Sequence, residues 1–142
     1  MRTRTVGALA STVVMVSGLT LAAAPSASAA DGLSQCPPGY ACFWGYTGYN
    51  GTMGKVAGNN PDFSELISTD PLSCGWHDWD NCIESIANHG TQCTVYFYDD
   101  YNYGKSDRWH SLSRGDEVGN FATGYNDSGF NDVISSNKWC TS

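Results

Sequence analysis

Two stretches of the chain rhyme, and this internal repeat limits the available folds more than any other feature. Cys42-Phe43-Trp44-Gly45-Tyr46-Thr47-Gly48-Tyr49-Asn50-Gly51 and Tyr96-Phe97-Tyr98-Asp99-Asp100-Tyr101-Asn102-Tyr103-Gly104-Lys105 each open on an aromatic pair. Each reaches another aromatic six residues after the first of that pair and places Gly close behind. A second rhyme follows at a similar interval, Asp80-Asn81-Cys82-Ile83-Glu84-Ser85 and Asn131-Asp132-Val133-Ile134-Ser135-Ser136, 37 residues after Phe43 and 34 after Phe97. Self-similarity at this period implies two related units of roughly fifty residues side by side.

Both units read as strand, turn, strand. Thr91 to Tyr98 alternates, with Cys93, Val95 and Phe97 on one face and Thr94, Tyr96 and Tyr98 on the other, the period of a half-buried strand. Shorter strands are expected at Ala41 to Tyr46, Gly54 to Ala57, Ile83 to Asn88, Arg108 to Leu112 and Val133 to Ser136, separated by Gly- and Asn-rich turns. One helical turn is expected at Asp62 to Ile67, with Phe63, Leu66 and Ile67 on a shared face. Short strands in a two-fold repeat predict an all-β sandwich of two Greek keys, about eight strands in all. Aliphatic side chains are few, so aromatics must supply much of its core.

The first thirty residues lie outside the repeat and read as an address. Arg2 and Arg4 form a basic start, Val6 to Ala24 is almost free of polar side chains, and Pro25-Ser26-Ala27-Ser28-Ala29-Ala30 offers a small-residue cleavage site. Residues 1–29 are therefore expected to be a secretory signal peptide, cut after Ala29 or Ala30. A membrane anchor fits less well, because Gly, Ser and Thr interrupt the stretch and no stop-transfer flank follows. What remains is one domain over 30–142, with Greek key one at about 36–90 and Greek key two at about 91–140. The net charge of −7 becomes about −9 once Arg2 and Arg4 leave, which disfavours nucleic acid and anionic membranes as partners. A soluble, extracellular monomer is expected.

All six cysteines follow the cleavage site, and an even number in an exported chain reads as disulfides. Many pairings are open to six cysteines. The preferred set is Cys36 with Cys42, Cys74 with Cys82, and Cys93 with Cys140: the first two close short loops containing Pro or Gly, and the third ties a central strand to the last residues. Zinc is the competing use, but no Cys-x-x-Cys pair is present.

The aromatic pair followed by a hairpin aromatic and Gly, present at Phe43-Trp44 with Tyr49-Asn50-Gly51 and again at Phe97-Tyr98 with Tyr103-Gly104, resembles the Greek-key signature of the βγ-crystallin fold. More narrowly, Cys36-Pro37-Pro38-Gly39-Tyr40-Ala41-Cys42 and Glu84-Ser85-Ile86-Ala87-Asn88-His89-Gly90-Thr91 resemble the secreted actinobacterial metalloproteinase inhibitors, peptidase inhibitor family 36. That likeness implies a disulfide-braced βγ-crystallin-like sandwich and a secreted protein that blocks an extracellular protease. The fold family also implies calcium, through a motif of two Asn/Asp residues, two variable residues, Ser/Thr and Ser. Asn131-Asp132-Val133-Ile134-Ser135-Ser136 is similar at every position, so Asn131, Asp132, the Val133 carbonyl and Ser135 are its expected ligands. Asp80, Asn81 and Glu84 form a second candidate set that departs from the motif, with Glu84 in the hydroxyl position. Hard oxygens of these kinds suit calcium, whereas local turn-holding hydrogen bonds explain the same residues without a metal.

Inhibition needs an exposed, rigid loop, since ordering a loop on binding costs affinity. The expected one is Asp70 to Trp79, with Leu72, Ser73, Gly75, Trp76 and His77 facing the protease and His77 able to approach its zinc, set against an ordinary connection whose Trp76 and Trp79 cover the core. The alternative is a calcium-binding βγ-crystallin-type structural or interaction module without inhibitory activity. Catalysis is disfavoured, because the three histidines are scattered and no zinc-protease or nucleophile-elbow motif occurs. Asp99 with Asp100, or Asp80 with Glu84, is the nearest thing to a glycosidase pair. Polysaccharide binding through Trp44, Trp76, Trp79, Trp109 and Trp139 is a further reading, set against aromatics that simply fill the core.

Overall fold

A computed structural model describes residues 32–69, 74–75, 77–104, 108–123 and 129–140. The expected leader therefore lies outside the described residues. Seven strands form among them: β1 (Ala41–Tyr46), β2 (Asn50–Val56), β3 (Ser85–Asn88), β4 (Val95–Tyr98), β5 (Trp109–Leu112), β6 (Glu117–Val118) and β7 (Ser136–Trp139). They build two antiparallel sheets, ordered β2-β1-β3-β6 and β5-β4-β7. No helix among the described residues is long and apolar enough to cross a membrane.

The repeat is visible in the pairing. β1 lies between β2 and β3, and β4 lies likewise between β5 and β7. Each half then lends a segment to the other's sheet. β6, from the second half, pairs with Ile86 and Ala87 of β3, while Asn60 of the first half exchanges backbone hydrogen bonds with Asn137 of β7 at 3.0 and 2.9 Å. This exchange closes two Greek keys over one core.

Alternation directs the aromatics. Phe43 of β1, Ile86 of β3 and Phe97 of β4 point between the sheets, where they meet Phe63, Ile83, Phe121 and Ile134, all fully buried. Phe43 packs on Phe63 at 5.3 Å between centroids and edge-on against Trp79 at 4.9 Å. Behind the first sheet, Trp44, Cys42 and Ala87 form a second cluster with Cys36, covered by Leu33, Tyr40, Tyr49 and Met53. The three disulfides are Cys36–Cys42, Cys74–Cys82 and Cys93–Cys140, the preferred pairing.

Several local expectations need correction, among them the strand expected over Thr91 to Tyr98, which forms only at Val95–Tyr98. The strand expected at Val133 to Ser136 begins only at Ser136, because Asp132 takes a left-handed φ of 55° and the backbone then turns before it can pair. The turn at 62–67 is a short 3-10 helix, Phe63–Glu65, capped by Asp62, whose Oδ1 accepts from the Ser64 N–H at 2.9 Å. Ile67 does not share the buried face of Phe63, since it is 81% exposed. β6 was not anticipated at all.

A serine clasps the hairpin in each half. Ser85 Oγ donates to the Tyr46 carbonyl at 2.8 Å and accepts from the Tyr49 N–H at 3.1 Å. Ser136 Oγ does the same for Asp100 and Tyr103 at 2.6 and 3.2 Å. Both tyrosines sit at φ 60°, a conformation that a free chain seldom holds. Ser85→Ala strands the Tyr49 N–H and the Tyr46 carbonyl beside a buried side chain. Chemical denaturation should show a loss of about 1–3 kcal/mol for it, and Ser136→Ala should cost a similar amount.

Candidate functional site

The loop between Ile67 and Trp79 rises from a fixed neck. Ile67 bridges Asp78 antiparallel, the Ser68 N–H donates to the His77 carbonyl at 2.9 Å, and the Trp79 N–H donates to the Leu66 carbonyl at 3.0 Å. Asp78 Oδ1 accepts from the Asp80 N–H at 3.0 Å, an Asx turn that ends the loop. Below the neck, Cys74, Trp79 and Cys82 are buried in the main core. The disulfide is thus an internal anchor, while Gly75 and His77 stand in solvent. Leu72, Ser73 and Trp76, also expected to face a partner, lie outside the described residues. Trp79 is core.

Beside the neck runs an open groove of about 260 Å³, bounded by Met53 and Lys55 of the edge strand β2 and by Leu66, Ile67 and Trp79. Sequence reasoning missed Ile67 as a surface residue. No local signal marks it, because its outward direction is set by the bridge to Asp78.

The two Asn/Asp motifs face each other across the pseudo-two-fold. The Asn81 N–H donates to the Ile134 carbonyl at 3.1 Å and the Asp132 N–H to the Ile83 carbonyl at 3.2 Å. Both donors hold left-handed φ values, 54° and 55°. Within each motif the Asn amide bonds its neighbouring carboxylate, Asn81 to Asp80 Oδ2 at 2.8 Å and Asn131 to Asp132 Oδ2 at 2.6 Å. One oxygen of each leading residue, Asp80 Oδ1 and Asn131 Oδ1, is buried without a hydrogen-bond partner. The Glu84 and Ser135 backbones match too, their N–H groups donating to the Trp44 and Tyr98 carbonyls at 3.0 and 2.8 Å. Glu84 differs only in its side chain, whose Oε2 reaches back to accept from the Thr47 N–H at 3.1 Å.

Electrostatics differ between the two motifs. Burial, and then the nearby Glu84 carboxylate, pushes the Asp132 carboxyl above the ordinary carboxylate range. Tyr101, a residue that sequence reasoning did not single out, donates its hydroxyl to Asp80 Oδ2 at 2.6 Å. That bond, then partial burial and the charges of Asp80, Asp62 and Asp78, raises the Tyr101 hydroxyl to about 12. No three His, Cys, Asp or Glu side chains converge among the described residues. A cation here would need amide, hydroxyl and backbone oxygens as well as carboxylates.

The residues considered for catalysis are occupied separately. Asp99 pairs with Arg108 at 2.9 Å, Asp80 holds Tyr101, and Glu84 holds Thr47. His89 Nδ1 lies 2.8 Å from the Cys36 carbonyl, and His110 packs against the rings of Phe121 and Phe130 at 5.6 and 5.7 Å.

A family model described as peptidase inhibitor family I36 matches residues 29–112, more than half of the chain. No curated protein matches. Among solved structures, one concerned with the evolution of the eye lens βγ-crystallin domain fold is 20% identical with a TM-score of 0.55, covering 75% of this chain and 90% of its own. IPSE/alpha-1 from Schistosoma mansoni eggs is 19% identical with a TM-score of 0.50, covering 74% and 88%. A βγ-crystallin from Ciona intestinalis is 20% identical with a TM-score of 0.49, covering 71% and 99%. Likeness at such identity establishes the fold and leaves activity to the family match. On a βγ-crystallin fold, then, this chain belongs to peptidase inhibitor family I36 and is a protease inhibitor rather than an enzyme.

Proposed function

We propose that the protein is secreted and blocks a metalloproteinase by seating the loop between Ile67 and Trp79 in the enzyme's cleft. One observation carries the reading: the loop's base is fixed by the two backbone hydrogen bonds of the Ile67–Asp78 bridge and by a buried disulfide, while Gly75 and His77 are exposed. A partner then meets a loop whose base is already fixed by folding, which lowers the ordering cost of binding. His77 offers an imidazole that a protease zinc accepts as a ligand. The purified protein is expected to inhibit a thermolysin-like enzyme at micromolar concentration or below. Replacing Cys74 and Cys82 together by Ser should weaken inhibition at least about tenfold. Folded protein that leaves metalloproteinases untouched while stopping serine or cysteine proteases would overturn the choice of target.

The Asn/Asp motifs support a second reading, calcium binding that stabilises the domain. It rests on the two buried, unpartnered oxygens of Asp80 and Asn131 and on the crossed backbone bonds that bring Asp132 toward Glu84 and Asn81 toward Ser135. The Asp80 and Asn131 oxygens, with Asp132, Glu84, Asn81, Ser135 and the Val133 carbonyl, are of the kind calcium takes. Titration calorimetry is expected to show heat at millimolar calcium, with a rise in melting temperature. Glu84→Gln should weaken binding about tenfold by removing one of two charges from its site. The pH dependence has a defined sign. The Asp132 carboxyl is raised in the fold, so without a cation its ionisation costs stability as pH climbs from the ordinary 3.8 through the raised value. Bound calcium reverses that, so the calcium-induced gain should grow over the same interval. Absence of heat and of any thermal shift would remove calcium from the account.

A further inference from the structure

The pseudo-two-fold makes the outer faces of the two sheets directly comparable. On the first sheet, Cys42 stands beside Lys55 and Ala87, and Trp44 beside Met53 and Ser85. On the second, Tyr96 stands beside Ser111 and Lys138, and Tyr98 beside Trp109 and Ser136. Cross-strand neighbours share a face, so each set forms one surface. The first is closed over: Trp44, Cys42 and Ala87 are fully buried beneath Leu33, Tyr40 and the Cys36–Cys42 bridge. The second keeps Trp109 at 54% exposure, with Tyr96 and Lys138 half-buried and Ser111 exposed.

We propose that this second face is a carbohydrate-binding platform for a neutral β-1,4-linked polysaccharide. Trp109 and Tyr96 meet at 5.7 Å between centroids with planes 49° apart, presenting two ring surfaces in a row. Tyr103 buttresses the same face from the side of Tyr98. Its ring packs edge-on to Tyr98 at 6.1 Å and beneath Lys138 Nζ at 5.6 Å, and its backbone is fixed by Ser136. The platform is therefore formed before anything binds, which limits the entropic cost. Its polar groups are of the right kind: the Ser111 hydroxyl, the Lys138 ammonium and the tyrosine hydroxyls flank the rings, as sugar hydroxyls require, while the apolar C–H face of an equatorially linked pyranose stacks on indole and phenol.

Size and charge argue for this occupant over a protein. Three strands of four residues cover roughly 14 by 13 Å, well short of the ~800 Å² per partner that a stable protein interface needs. A patch of that size matches one or two sugar rings. The paired positions carry a single charge, Lys138, and the chain as a whole carries −7, so a polyanionic glycan gains little here. The chain's own preceding segment reaches the other sheet, where Gly32 lies against Tyr49 and Trp44.

The proposal is independent of inhibition and is tested apart from it. Purified protein is mixed with microcrystalline cellulose and chitin beads, both neutral and β-1,4-linked, and with starch granules as the α-linked control; depletion from the supernatant is read. Retention on at least one of the first two, and not on starch, is expected. Trp109→Ala and Ser111→Glu, both at exposed positions, should each lower the bound fraction about tenfold. Their melting temperatures and protease inhibition should stay at the parent's values, and Ile67→Ala, on the opposite sheet's side, should bind like the parent. No retention on any β-1,4 polymer, or undiminished retention in both platform variants, overturns the proposal.

Discussion

Two serine hydroxyls organise this domain. Each stands at the start of a strand, Ser85 in β3 and Ser136 in β7, and reaches into the hairpin of its own half to hold a tyrosine in a left-handed conformation. A tight, twisted hairpin with a positive φ at a bulky residue is unfavourable alone. It persists because the serine satisfies one carbonyl and one N–H at once, and because the tyrosine ring then lands on the second aromatic of the pair, Trp44 or Tyr98. The fold of the hairpin, the start of the third strand and the placing of the aromatic pair are thus one event in each half.

The halves are also reciprocal. Asn81 and Asp132 spend their backbone N–H groups on each other's motif, and Asn60 and β6 pair in each other's sheets. Neither Greek key completes its own hydrogen bonding, so unfolding one exposes orphaned groups in the other. Cooperative, single-step unfolding follows from that arrangement. It also explains why the site residues of the two motifs cannot be assigned to one half.

Much of this was legible because it depends on spacing. The aromatic pair with its hairpin aromatic fixes the strand–turn–strand unit wherever it occurs, and β1 spans the expected Ala41 to Tyr46. The cysteine pairing followed from loop length and compartment. Features that depend on the other half were hidden. β6 is two residues long and exists only because β3 offers an edge; nothing local distinguishes Glu117 and Val118. Ile67 looks like a core residue by hydropathy, and only the bridge to Asp78 turns it outward. Glu84 reads as a poor substitute for a hydroxyl residue until its reach to the Thr47 N–H and its nearness to Asp132 are seen. In the same way, Trp109 is indistinguishable in sequence from the buried tryptophans, since its exposure reflects the lack of a covering segment among the described residues.

The Cys93–Cys140 bridge joins residues 47 apart and so encircles nearly the whole second Greek key. A peptide bond cut anywhere between them leaves two pieces that remain covalently joined, with β4 and β7 still adjacent. For a molecule whose working life is spent in contact with proteases, a nick in that half is an injury rather than a death. Damage there accumulates without release of fragments, and the first Greek key, with its braced loop, keeps the sheet it needs to lean on.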